Sequence, residues 1–161
     1  MTFGEQAERE LAVILARYPE KRSALLPLLH LVQREQGHVS PAAMEEVARR
    51  LNLQPVQVLE VATFYTWFNL RPVGKRRLQV CHNLSCTLMG AEGIIRALKE
   101  ELSIGEDETT PDGLFTLQRV ECLASCGTAP VMQVNDDYYE SLTPEKARAL
   151  LKQWRAAANG K

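Results

Sequence analysis

The stretch VECLASCGTAPVMQVN (120–135) decides the reading of this chain, because it sets Cys122 and Cys126 between two apolar runs. Three residues separate that pair. The other two of the four cysteines, Cys81 and Cys86, lie upstream in LQVCHNLSCTLMG (78–90), again directly after an apolar run and with four residues between them. Leu78 and Val80 alternate with polar neighbours, which predicts a strand running into Cys81. LFTLQRV (114–120) alternates Leu114, Thr116, Gln118 and Val120 against Phe115, Leu117 and Arg119, a second strand that Cys122 ends. If the two strands are neighbours, both cysteine pairs emerge at one edge of a sheet and four thiolates converge on one site.

Outward from these strands, Leu88, Ala91, Ile94, Ile95, Leu98 and Leu102 carry the spacing of one helix face, with Cys86 just before that helix. TTPDG (109–113) is turn chemistry. VMQVN and YYESL read as a hairpin joined by Asp136-Asp137, with Cys126 in the loop before it. Thr143 then caps a last helix that has Pro144 at its first position and Leu150, Leu151 and Trp154 along it. The order strand, helix, three strands, helix suits a sheet covered by two helices, an α/β layer fold of thioredoxin type.

The residues before this region have a helical texture throughout. Ala7, Leu11, Ile14, Leu15 and Tyr18 share a face until Pro19; Leu25, Leu28, Leu29 and Val32 continue until Gly37, with Pro27 tolerable only in a first turn. Ser40 and Pro41 make a cap and first-turn pair for Met44, Val47, Ala48 and Leu51. Pro55 opens a fourth helix with Val58, Val61, Ala62, Tyr65 and Phe68 on one side. LRPVGK (70–75) is a linker by composition. The expected organisation is α+β: an N-terminal small helical bundle over 1–73 and a thioredoxin-like α/β domain over 74–161.

Composition narrows the function. At 161 residues, 45% apolar and 24% charged, the chain can bury a real core, and no apolar run approaches the roughly 20 residues that span a bilayer. The start MTFGEQAERE lacks the apolar core of a secretion signal and the character of an organelle presequence, so the expected location is the bacterial cytoplasm. A net charge of -1 with both signs interspersed offers no basic face to nucleic acid and no polybasic segment to lipid. There is no G-x-G-x-x-G, P-loop, Ser/His/Asp or H-E-x-x-H constellation, so no complete active site is expected here.

In a reducing compartment, two tight cysteine pairs point to metal or redox chemistry rather than structural disulfides. Structural zinc usually takes pairs two to four residues apart on very small domains, whereas these pairs lie about 35 residues apart on a domain with a sheet and helices of its own. The bacterial four-iron run and the plant-type ferredoxin run are both absent. A Rieske centre needs histidine ligands, but His82 directly abuts Cys81. A thiol-disulfide oxidoreductase is expected to show C-x-x-C at a helix start, and none occurs. A binuclear cluster on four cysteines fits best, with structural zinc and a thiol-disulfide role as the alternatives. The helix expected after Cys86 would offer free N–H groups and a positive dipole end to a negatively charged cluster.

VATFYTWFNLRPVGK (61–75), LQVCHNLSCTLMGAE (78–92), TPDGLFTLQRVECLASCGTAP (110–130) and VMQVNDDYYESLTPE (131–145) resemble the small binuclear iron-sulfur subunit of NADH:quinone oxidoreductase, respiratory complex I, known in mitochondria as the 24 kDa subunit. The similarity runs through nearly the whole chain. It implies a thioredoxin-like [2Fe-2S] ferredoxin domain whose cofactor-binding and metal ligands are Cys81, Cys86, Cys122 and Cys126; His82, Asn83, Ala124 and Ser125 are not ligands in that pattern. It further implies an electron-transfer subunit of the NADH dehydrogenase module, packed on a larger flavoprotein that holds FMN and NADH, beside other iron-sulfur subunits. The location implied is peripheral, on the cytoplasmic side of the bacterial inner membrane, through the complex. Similar subunits serve NAD-dependent formate dehydrogenases and bidirectional hydrogenases. The aromatics Phe64, Tyr65, Trp67 and Phe68 suit either docking or core packing, and His30, His38 and His82 read as surface or helix-end residues.

Overall fold

The computed structural model describes residues 3–159. The chain divides into two compact units, Met1–Pro72 and Val73–Lys161. Among the described residues, no helix is long and apolar enough to cross a membrane.

The first unit is helical: α1 (Glu5–Ala16), a 3₁₀ turn (Lys21–Ala24), α2 (Leu25–Gln36), α3 (Pro41–Leu51) and α4 (Pro55–Phe64). Local chemistry sets the boundaries. Ser40 Oγ accepts the Ala43 N–H at 3.2 Å and Pro41 occupies the first turn of α3, satisfying a donor that has no partner within the helix. Pro27 falls in the first turn of α2, where its missing N–H costs nothing. Gly37 at φ 75 and Asn52 at φ 57 end α2 and α3 in the left-handed conformation. Leu28, Leu29, Val32, Val39, Val47 and Val58 are wholly buried and form the centre of this core.

α4 is shorter than its apolar spacing predicts. It stops at Phe64, and Tyr65 is extended and exposed instead of lying on the buried face with Val58 and Ala62. The Thr63 hydroxyl donates back to the Leu59 and Glu60 carbonyls, competing with the helix ladder at this point. The aromatic run is therefore split: Phe64 is 76% exposed, while Phe68 returns to the core.

An ion network ties α1 to α3. Glu46 accepts from Arg49 at 2.6 Å and Arg50 at 2.7 Å, and Arg50 also reaches Glu8 at 2.8 Å. The Arg49 hydrogen bond, aided by Arg50, holds the Glu46 carboxyl down at about 2, and the Arg50 bond lowers Glu8. Both groups have depressed pKa values in the folded state. Their stabilisation is complete above the ordinary value of 4.5 and fades as pH falls below it, for Glu46 down toward about 2. Glu46→Gln should flatten the decline of the melting temperature across that window. An unchanged slope in melts taken from pH 5 to pH 2 would refute the assignment.

The second unit runs β1 (Arg76–Cys81), α5 (Leu84–Leu88), α6 (Ala91–Leu102), β2 (Glu108–Thr109), β3 (Phe115–Val120), a 3₁₀ turn (Cys126–Thr128), β4 (Met132–Val134), β5 (Asp137–Tyr139) and α7 (Pro144–Asn159). The five strands lie in the order β2-β3-β1-β4-β5. β1 and β3 are parallel, and the remaining pairings are antiparallel. Ile94, Ile95 and Leu98 of α6 and Ala147, Leu151 and Trp154 of α7 share one core with Leu78, Val80, Phe115, Leu117, Met132 and Val134 of the sheet. Thr143 Oγ1 accepts the Lys146 N–H at 3.2 Å and so caps α7. A mixed sheet with helices packed on it makes the chain α+β.

Three local readings of the sequence are corrected. The helix expected to begin around Leu88 is two helices broken at Gly90, whose φ is 98, and Leu88 is exposed at the end of the first of them. The hairpin turns at Asn135-Asp136, with Asn135 at φ 55, so Asp137 begins β5 opposite Val134. The two-residue β2, paired with β3, has no apolar alternation to announce it.

Gly74 is required by close approach. A Cβ there would meet the Phe115 backbone at 2.7 and 2.8 Å and Leu114 at 3.0 Å. Its N–H donates to Thr116 Oγ1 at 2.6 Å, which pins the entry to β1 against β3. Gly74→Ala should cost about 1–3 kcal/mol, as overpacking against backbone does. Denaturant unfolding should show it, and a midpoint equal to wild type would contradict this packing.

Candidate metal centre

The parallel pairing sets the site. In register, Arg76 faces Phe115 and Cys81 faces Val120, so β1 and β3 finish together and both cysteine loops leave the same end of the sheet. His82 N–H donates to Val120 O at 3.0 Å, and Cys81 N–H to Val131 O at 3.1 Å. These bonds hold the first cysteine between β3 and the entry to β4.

Cys86 lies inside the short α5, ahead of α6. Asn83 causes this, because its side chain accepts the Leu84 N–H at 2.8 Å and starts a helical turn within the spacer between the cysteines. The next helix start after Cys86 is that of α6 at Ala91. Cys122 lies two residues beyond the end of β3, and Cys126 begins the 3₁₀ turn. Cys81 and Cys86 are buried, whereas Cys122 and Cys126 are exposed.

The four sulfurs assemble as two pairs. Cys122 and Cys126 sulfurs are 3.5 Å apart. Two thiolates on one tetrahedral ion at about 2.3 Å stand about 3.8 Å apart, so this pair is close to the separation one metal ion imposes. Burial first, and then the Cys81 sulfur bonded to it, push the Cys86 thiol up; Val131 N–H pulls it down. The bond from Cys122 pushes the Cys126 thiol up, and the Ser85 hydroxyl lowers it. Cys126 adds to the upward push on Cys86, and Cys81 to that on Cys126, so the pairs lie within electrostatic reach of one another. Crowded thiols resist ionisation unless positive charge is supplied. The two cysteine segments themselves supply none, because no Lys or Arg occurs from 78 to 95 or from 120 to 145. A cationic metal core would.

Among the described residues, no three His, Cys, Asp or Glu side chains are gathered into a ready cage for one ion. Two thiol pairs at one end of the sheet suit a core of two metal ions, one pair to each. The donor set thus fits a [2Fe-2S] core.

Neighbouring side chains brace the loops. Asn83 Nδ2 donates to Glu121 Oε2 at 2.7 Å, and His82 Nε2 lies 3.6 Å from Glu121 Oε1, linking the two loops. Ala124 takes φ 61 and sends its N–H to the Cys122 sulfur at 3.3 Å. Sequence reasoning missed the supporting roles of Ser125, Thr128, Tyr138 and Glu140. Tyr138 Oη donates to Leu123 O at 3.0 Å, and the Ser125 and Thr128 hydroxyls both donate to Glu140. Their only signal was the hairpin, which returns the chain beside the second cysteine loop.

Known proteins resemble the chain over most of its length. The family model for the thioredoxin-like [2Fe-2S] ferredoxin matches residues 11–155. An E-type NADH-quinone oxidoreductase subunit of Rhizobium meliloti is 49% identical over 148 residues, covering 92% of this chain and 88% of that protein. NADH-quinone oxidoreductase subunit 2 of Thermus thermophilus is 47% identical over 159 residues, covering 97% of this chain and 88% of that protein. A crystal structure of NAD+-reducing [NiFe]-hydrogenase superposes with a TM-score of 0.73 at 20% identity, covering 83% of this chain and 23% of that one, which is a likeness of fold. The chain belongs to the thioredoxin-like [2Fe-2S] ferredoxins and, among them, to the family of these small NADH-quinone oxidoreductase subunits.

Proposed function

We propose that this chain is the electron-transfer subunit of an NADH dehydrogenase module, with one [2Fe-2S] cluster held by Cys81, Cys86, Cys122 and Cys126. The observation that carries the reading is the parallel β1–β3 register, which brings two cysteine loops to one end of the sheet as two thiol pairs. When bound, the cluster supplies reversible one-electron chemistry. The chain's own part is to hold the thiols in pairs, to keep Cys81 and Cys86 from water and to leave Cys122 and Cys126 open to a redox partner.

The partner in this reading is a larger flavoprotein carrying FMN and the NADH site, with further iron-sulfur subunits beside it. Leu84, Leu88 and Met89 are 71%, 76% and 63% exposed on and just after α5, around Cys86. Such an apolar patch suits burial against another protein. The chain then sits peripherally at the cytoplasmic face of the membrane through its complex. The hydrogenase alternative rests on fold alone, whereas the NADH-quinone oxidoreductase relatives share about half of their residues with nearly the whole chain.

The test is direct. The purified chain should be red-brown, contain iron and acid-labile sulfide in equal amounts, and be bleached by NADH only when the flavoprotein is added. A colourless zinc protein would refute the proposal, and co-purification with a nickel-iron subunit would move it to the hydrogenase alternative.

A further inference from the structure

β5 and the segment after it are stitched to the second cysteine loop and the turn that follows it. Tyr138 Oη donates to Leu123 O at 3.0 Å, Ser141 N–H to Thr128 O at 2.7 Å, and Leu142 N–H to Pro130 O at 3.1 Å. At the centre, Thr128 Oγ1 donates to Glu140 Oε1 at 2.6 Å and Ser125 Oγ donates to the same oxygen. Ser125 immediately precedes Cys126. The loop so held contains Ala124 in the left-handed conformation, which a residue with a Cβ disfavours, so it needs support from outside.

From these contacts we infer that Glu140 is a positioning residue for the cluster: its carboxylate fixes the Cys122–Cys126 loop in ligand geometry, and its negative charge opposes reduction. The inference rests on the function proposed above. The carboxyl is held below its ordinary range by the Ser125 hydroxyl first and Thr128 second, so the anion is the form bound. A fixed anion one hydroxyl away from the residue preceding a ligand disfavours the extra negative charge that reduction brings. Charge and support can be separated, because a glutamine oxygen still accepts both hydroxyl bonds.

In the purified full-length chain, Glu140→Gln should keep its iron and sulfide while its reduction equilibrium shifts about tenfold toward the reduced form, about 59 mV for one electron. Glu140→Ala should release iron to a chelator at least about tenfold faster than Glu140→Gln, and amide hydrogen exchange over 123–130 should quicken. The double change Ser125→Ala with Thr128→Ala should loosen the loop without raising the potential, and it covers the case in which Glu140→Ala fails to fold. An unchanged potential in Glu140→Gln, or unchanged exchange in both loosened variants, would overturn the assignment. A chain without iron and sulfide would defeat the proposed function instead, and exchange in the metal-free chain would still read the support.

Discussion

Cys86→Ser is expected to strip the chain of its visible chromophore and most of its iron while leaving it folded. The loss follows from ligand chemistry, because a serine hydroxyl is far less acidic than a thiol and is a much poorer donor to iron than a thiolate. Retained folding follows from where the apolar mass lies. Cys81 and Cys86 pack only with a small group around Ala91 and Val131, apart from the core of α6, α7 and the sheet. The fold therefore does not depend on the metal as a zinc finger does. Circular dichroism should match wild type as the absorption disappears. A variant with full iron content and normal absorption would remove Cys86 from the ligand set, and one that unfolds would make the centre structural.

The largest effect on stability should come from Phe115→Ala. Phe115 is fully buried at the start of β3, with its ring 6.3 Å from that of Trp154, joining β3 to α7. Truncating a buried Phe costs about 3–5 kcal/mol in lost transfer energy and cavity. At roughly 4–8 °C per kcal/mol for a unit of this size, the melting temperature should fall by more than about 10 °C. Phe115→Leu should recover most of the loss. A Phe115→Ala melt close to wild type would mean that the ring does not anchor α7.

Much of the fold was readable because its signals are local. Ser40-Pro41 and Thr143-Pro144 are caps whose donors and acceptors lie within one turn, and both helices start where those pairs place them. The strands ending near the cysteines were readable from alternation alone. Where local signals compete, the reading failed: Leu88 fits the period of α6, but Gly90 at φ 98 breaks the helix before it, and Thr63 helps to end α4 ahead of Tyr65. Ala124 at φ 61 was invisible, since nothing in Leu-Ala-Ser asks for the left-handed region.

What the amino-acid order by itself determined is the kind of chemistry and its carriers: four thiols in two pairs, with no Lys or Arg in either segment and no complete catalytic constellation beside them. What only the tertiary structure decided is their meeting, through the pairing of β1 with β3, and the support of the second loop by Glu140 from 14 residues beyond Cys126. The physical reason is range. Helix caps, alternation and metal-ligand types act within a few bonds of the residues that carry them, whereas strand register and a carboxylate's choice of hydroxyl depend on which segments the core brings together.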